Sequence, residues 1–213
     1  LSSRGCASPA MSWSLGETAA LALKAARGAG LTWGLAEEAA AAVVWLHANG
    51  LPGVSALCSY LGNPDDKPRT DGACPILTGC ALIDGAMPSP TRPGEVTEIG
   101  PVRAPLLLLP FVARLESGTI WLLPSGPGRT DVHAIDGTAG DSFASHCLSG
   151  AASCRLLYET RQQVVTPPRE VLRLAGHFAC CVDRLGTFAY RTYAPATGQS
   201  RLSGAGAGLT DND

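Results

Sequence analysis

At 213 residues the chain is long for one domain and short for two, since domains typically hold ~100–200 residues. Hydrophobic residues make up 46%, enough for a real core, which excludes wholesale disorder. The formal net charge is −2, and the 16 Lys and Arg residues are scattered, which excludes the clustered cations that duplex binding needs.

Residues 1–10 lack the long apolar segment of a secretory signal and read as a disordered leader before Met11. Ser14–Gly30 reads as an amphipathic helix. Ser14 and Glu17 have capping-box spacing, in which each side chain satisfies the other's exposed backbone donor. Gly28 and Gly30 end it. A second helix is expected at Leu35–Ala48, with Glu37 and Glu38 in its first turn, where the helix dipole favours negative charge, and with Asn49-Gly50 as its stop. The alanine density of the two predicts a closely packed antiparallel pair, with Trp33 and Trp45 adding bulk at the ends. A shorter helix is expected at Val54–Leu61.

Gly62–Gly72 is a polar loop that divides this helical front from a strand-rich middle. Short apolar runs bounded by Gly and Pro follow at Cys74–Ile83, Val102–Leu115 and Thr119–Leu123, and read as strands. Pro105 and Pro110 confine the second run to a sheet edge or split it in two. Asp131–Ile135 and Cys154–Tyr158 are further strand candidates, and Gly85–Gly100 and Pro124–Arg129 are loops. Thr166-Pro167-Pro168 announces a late helix, with Val171, Leu174, Ala175, Phe178 and Val182 as its apolar stripe and an end near Gly186. Phe188–Tyr193 is a last strand candidate, and residues 201–213 form a glycine-rich, then acidic, tail.

No stretch of about 18 apolar residues occurs, so no membrane span is predicted. The longest apolar run, Ala104–Val112, is interrupted by prolines. Eight cysteines are present. A chain this large needs no disulfide staples and carries no secretion signal, so free thiols in a cytoplasmic protein are expected. Cys180-Cys181, late in the predicted helix, reads as packing, and His47 suits the C-terminal dipole of the second helix. No cysteine pair has zinc-site spacing, and no metal site is predicted.

Polar chemistry concentrates in Arg129–His146. His133, Asp136 and His146 are the candidate acid–base groups, and Arg129, Asp141 and Ser142 the candidate ligand contacts. A carboxylate, an imidazole and a hydroxyl are the ingredients of an activated nucleophile, although no G-x-S-x-G elbow accompanies them. Gly204–Gly208 lacks the Gly-Lys-Ser/Thr ending of a phosphate loop. Arg201 instead reads as an anchor for a tail crossing a cleft or a subunit boundary, with Asp211, Asn212 and Asp213 placing charge at a neighbouring site. No motif names a cofactor.

The opening SLGETAALALKAARGAGLTWGLAEEAAAAVVWLHANGLPG and the ending SRLSGAGAGLTDND resemble an uncharacterised family of proteobacterial proteins, a domain of unknown function. The resemblance runs over most of the chain from Met11 and implies a complete cytoplasmic bacterial protein with no assigned reaction. The order of two alanine-rich helices, a glycine and an apolar run ending Ile83-Asp84-Gly85 is also similar to the N-terminal part of the malate/L-lactate dehydrogenase-like NAD(P)-dependent reductases. Where that family carries Ser-His-Gly, this chain has Leu51-Pro52-Gly53 and lacks the substrate histidine.

The expected class is α+β, with an N-terminal helical pair packed on a mainly antiparallel sheet and one late helix, as a single domain over residues 11–200. Two functions follow. One is a cytoplasmic small-molecule metabolic enzyme, or a subunit of one, working through Arg129–His146. The other is a non-catalytic, oligomeric binding or assembly protein that exchanges its C-terminal tail. The low charged fraction, 16%, favours covered surface. A remote reductase is the third reading, and neither a nucleic-acid nor a membrane partner is expected.

Overall fold

A computed structural model describes residues 13–62, 73–115, 119–125, 151–159 and 178–193. The first helix, α1 (Leu15–Gly28), starts on the expected capping box. The Glu17 amide donates to Ser14 Oγ at 3.2 Å, and the Ser14 amide donates to Glu17 Oε2 at 2.8 Å. The donated Ser14 amide, then the Ser14 hydroxyl, hold the Glu17 carboxyl below its ordinary value of 4.5. A lowered folded-state value means stability gained above the unfolded-state titration and lost as pH falls through the folded one. Glu17→Gln is therefore expected to have a lower urea midpoint than the parent at pH 7, with the gap closing on acidification below 4.5. A gap that ignores pH would refute the carboxylate's part in the cap.

α1 ends as its sequence dictates. Gly30 has φ 97°, and the Leu31 amide reaches back to the Ala26 carbonyl while Gly30 donates to Arg27. This 6→1 and 5→2 pairing closes the helix, and the buried Leu31 covers it. α2 (Trp33–Ala48) repeats the device at Gly50-Leu51, and α4 (Pro75–Ile83) repeats it at Gly85-Ala86. Between them, α3 spans Gly53–Leu61.

Helices α1 and α2 pack directly on one another through small side chains, including Ala22, Ala25, Ala26, Ala36 and Ala39, all fully buried. α3 leans on α2. Gly53 permits this, because a Cβ there would lie 2.7 Å from the Val43 carbonyl oxygen. The central core is the run after β1 (Val96–Arg103). Pro105–Leu108 forms a 3-10 turn that continues into α5 (Leu109–Val112), and all eight side chains are buried. Phe111 lies across Gly79 of α4, where an added Cβ would overlap its ring.

The sheet is antiparallel in the order β1-β3-β2, with β2 at Thr119–Ser125 and β3 at Ala151–Glu159. Both edge strands carry a proline, Pro101 and Pro124, while the central β3 carries none. Proline cannot donate to a ladder and so suits an edge. β1 bulges between Glu98 and Gly100, where Gly100 takes φ 86°. α4, the 3-10 turn and α5 carry the main contacts between helices and sheet. The final described helix, α6 (Ala179–Tyr190), packs mainly on α1 and also on α3.

The mixed α+β class, the helical N-terminal pair, the antiparallel sheet and the late helix are all present. Several local expectations are corrected. Cys74–Ile83 is helical: Pro75 occupies the first turn, and Cys74 caps it by accepting from Leu77. Being apolar nearly all round, this segment shows a continuous run whether it is helix or strand. The apolar run from Val102 is strand only to Arg103. Pro105 and Pro110 then sit in first helical turns, where a missing amide is harmless. Phe188–Tyr190 continues α6 instead of forming a strand, because Phe188 and Ala189 are needed against α1. Strand edges extend into both predicted loops, to Val96 and to Ser125. α2 begins at Trp33, so Glu37 and Glu38 lie beyond its first turn. The Asp131–Ile135 strand and the start of the late helix before Phe178 lie outside the described residues.

Candidate functional site

The residues chosen from sequence, His133, Asp136, His146, Arg129, Asp141, Ser142 and Arg201, all lie outside the described residues. Six of them fall in sequence between β2 and β3, whose facing residues Ser125 and Ser153 are paired.

Two clusters stand out among the described residues, and α6 contributes to both. The first lies where the C-terminal ends of α1 and α6 meet. Gly28 makes this contact possible, because any Cβ there would overlap the Phe188 carbonyl. Lys24 and Arg27 are one turn apart on α1 and project beside it. Lys24 Nζ donates to the Tyr193 hydroxyl at 3.0 Å and sits 5.2 Å from that ring's centroid. Arg27 lies 4.7 Å from the Trp33 ring, and Tyr190 and Tyr193 stand 6.2 Å apart. Arg191 covers Phe188 at 5.3 Å. Three of the rings face solvent, Trp33 at 62% exposed, Tyr190 at 77% and Tyr193 at 57%, while Phe188 is buried. Trp33 was expected to fill space at a helix end, but it sits outside with a cation on its face. The tyrosines were hidden from sequence reading by the strand assignment at Phe188–Tyr193. The legible signal was the Lys24–Arg27 spacing, one helical turn.

The second cluster joins α3 and α6. Cys180 and Cys181 fall in the first turn of α6, not late in a helix, because the helix starts at Ala179. Cys180 is exposed, Cys181 intermediate, and Cys58 on α3 buried. Burial, and then contact with the Cys181 thiol, push Cys58 up to about 12, while the Arg184 guanidinium acts in the opposite direction. Burial likewise pushes Cys154 up to about 12. Cys80 is also raised, by burial and then by Glu38 and Asp84. Glu38 itself pairs with Arg114 at 3.3 Å, but side-chain exposures of 38% and 54% leave that pair little energetic weight. Cys74 accepts from Tyr60 Oη at 2.9 Å.

His47 turns out to be a core residue. It is fully buried at the end of α2, its Nε2 accepts the Val54 amide at 3.2 Å, and its ring meets Phe178 edge-on at 6.3 Å. It lies in the last turn of α2, as expected, and also ties α3 to α2. Among the described residues no group of three or more His, Cys, Asp and Glu is arranged to hold a metal ion, and no helix is long and apolar enough to cross a membrane.

No curated protein and no solved structure matches the chain. Residues 13–78, from the entry to α1 through to the first turn of α4, match the family DUF3726, described as a protein of unknown function, so the expected likeness to an uncharacterised family is found on the helical front.

Proposed function

We propose that the chain is a binding and assembly protein, and that the aromatic–cationic face of α1 and α6 docks the acidic end of the sequence, Asp211 and Asp213, from a second copy. The observation that carries this is the exposure of Trp33, Tyr190 and Tyr193 around Lys24, Arg27 and Arg191. Aromatic residues and arginine are the side chains that dominate binding energy at interfaces, while scattered exposed apolar residues need no such account. Lys24 and Arg27, set against exposed aromatic rings on a chain of formal charge −2, favour an acidic occupant, and residues 211 and 213 of the sequence are acidic. The segment 194–213 starts directly after Tyr193 and, fully extended, reaches at most about 70 Å, ample for a neighbouring subunit.

Light scattering tests the proposal. The full chain is expected to show an oligomer's mass, and the chain lacking Ser203–Asp213 a single chain's mass. Lys24→Glu/Arg27→Glu should act like the truncation. A monomeric full chain, or a truncated chain of unchanged mass, overturns the reading. The enzyme reading through His133, Asp136 and His146 predicts the opposite pattern: truncation leaves the mass unchanged, and a small metabolite raises the melting temperature.

A further inference from the structure

We propose that Cys181 and Cys58 form a thiol–disulfide exchange site that takes low-molecular-weight disulfides, with Cys181 as the attacking thiol and Cys58 as the resolving one. The placement follows from helix geometry. Ser55 and Cys58 are one turn apart and share a face of α3, which packs on α6. Cys181 Sγ lies 4.0 Å from Ser55 Oγ, one helical turn from Cys58 on the same face of α3. Two thiols distant in the sequence are thus brought to one α3–α6 contact, while access to them is unequal. Cys181 is partly open to solvent, whereas Cys58 is 3% exposed. A small disulfide reaches the first and not the second.

The exchange balances in two steps. The Cys181 thiolate attacks one sulfur of the small disulfide RSSR, its S–S bond breaks, and RS⁻ leaves. Cys58 then gives its proton to that thiolate and attacks Cys181 Sγ. The mixed disulfide breaks, Cys58–Cys181 forms, and the second RS⁻ leaves and takes a proton from solvent. The protein loses two thiol protons and two electrons, and the small disulfide is reduced to two thiols. Burial keeps Cys58 protonated and makes the second step the slow one. Arg184, one turn beyond Cys181 and acting on Cys58, favours the thiolate that this step needs. The product would staple α3 to α6.

The probe is glutathione disulfide, added to the full folded chain, followed by alkylation, digestion and mass spectrometry. The expected product is a Cys58–Cys181 cross-linked peptide, two hydrogens lighter than its parts, with two glutathiones released per link. Cys58→Ser should trap glutathione on Cys181. Cys181→Ser should lower the yield of cross-links to Cys58 at least about tenfold, and exposed Cys180→Ser should leave the yield within about twofold. Glutathione that stays on Cys180 or Cys181 of the parent chain while Cys58 remains a free thiol overturns the proposal. So does linkage of Cys58 to Cys180 in place of Cys181. Mapping the parent chain decides the matter even if a variant fails to fold.

Discussion

Replacing Gly28 by valine is expected to lower the unfolding free energy by about 3 kcal/mol or more, because the new side chain would occupy the space of the Phe188 carbonyl. The overlap is with main chain, so no rotamer change relieves it, and α6 must move away from α1. That movement would uncover Leu185 and Phe188, both buried at present. A small domain holds only about 5–15 kcal/mol in total, so a loss of this size shows plainly in a urea melt. The same variant should also disperse the aromatic–cationic face, since Tyr190, Arg191 and Tyr193 travel with α6. Gly186→Ala supplies the control. It lies on the same helix with open space around it and should stabilise by about 0.5–1 kcal/mol through helix propensity alone. Equal effects at both positions would refute the close-contact account.

Phe111→Ala is expected to cost about 3–5 kcal/mol by urea unfolding. Phe111 is 1% exposed and fills the volume left by the missing side chain of Gly79. Gly79→Ala alone should also destabilise, because its methyl collides with the ring. The two changes should not add: with the ring gone, the methyl at position 79 enters an empty space. A coupling of about 1 kcal/mol or more in the double-variant cycle is the expected result. Additivity within about 0.5 kcal/mol would mean that the two residues do not share the space between α4 and α5.

These two glycines mark the limit of what sequence alone makes legible. Helix ends were readable because their signals are local: Ser14 with Glu17 at the start of α1, Asn49-Gly50 at the stop of α2. The strands at Thr119 and Cys154 were readable from short apolar runs. Cys74–Ile83 was not, because a helix buried on most sides loses the polar stripe that identifies it. From the sequence Gly28 reads as a stop and Gly79 as part of a strand, since close approach is a property of the partner element and not of the glycine. The thiol pair was illegible for a similar reason. Cys58 and Cys181 are far apart in the chain, and only the packing of α3 on α6 brings them together. Reading Cys180-Cys181 as late in a helix depended on a start that the described residues place later, at Ala179.

The alanine seam between α1 and α2 bears on how this front third tolerates change. Alanine has no rotamers to freeze, so ordering Ala22, Ala25, Ala26, Ala36 and Ala39 sacrifices no side-chain entropy. The same absence leaves nothing that can swing aside when a neighbour grows. Such a joint is inexpensive to form yet has almost no mechanical give, so genetic drift there is one-sided: nearly every substitution enlarges the residue.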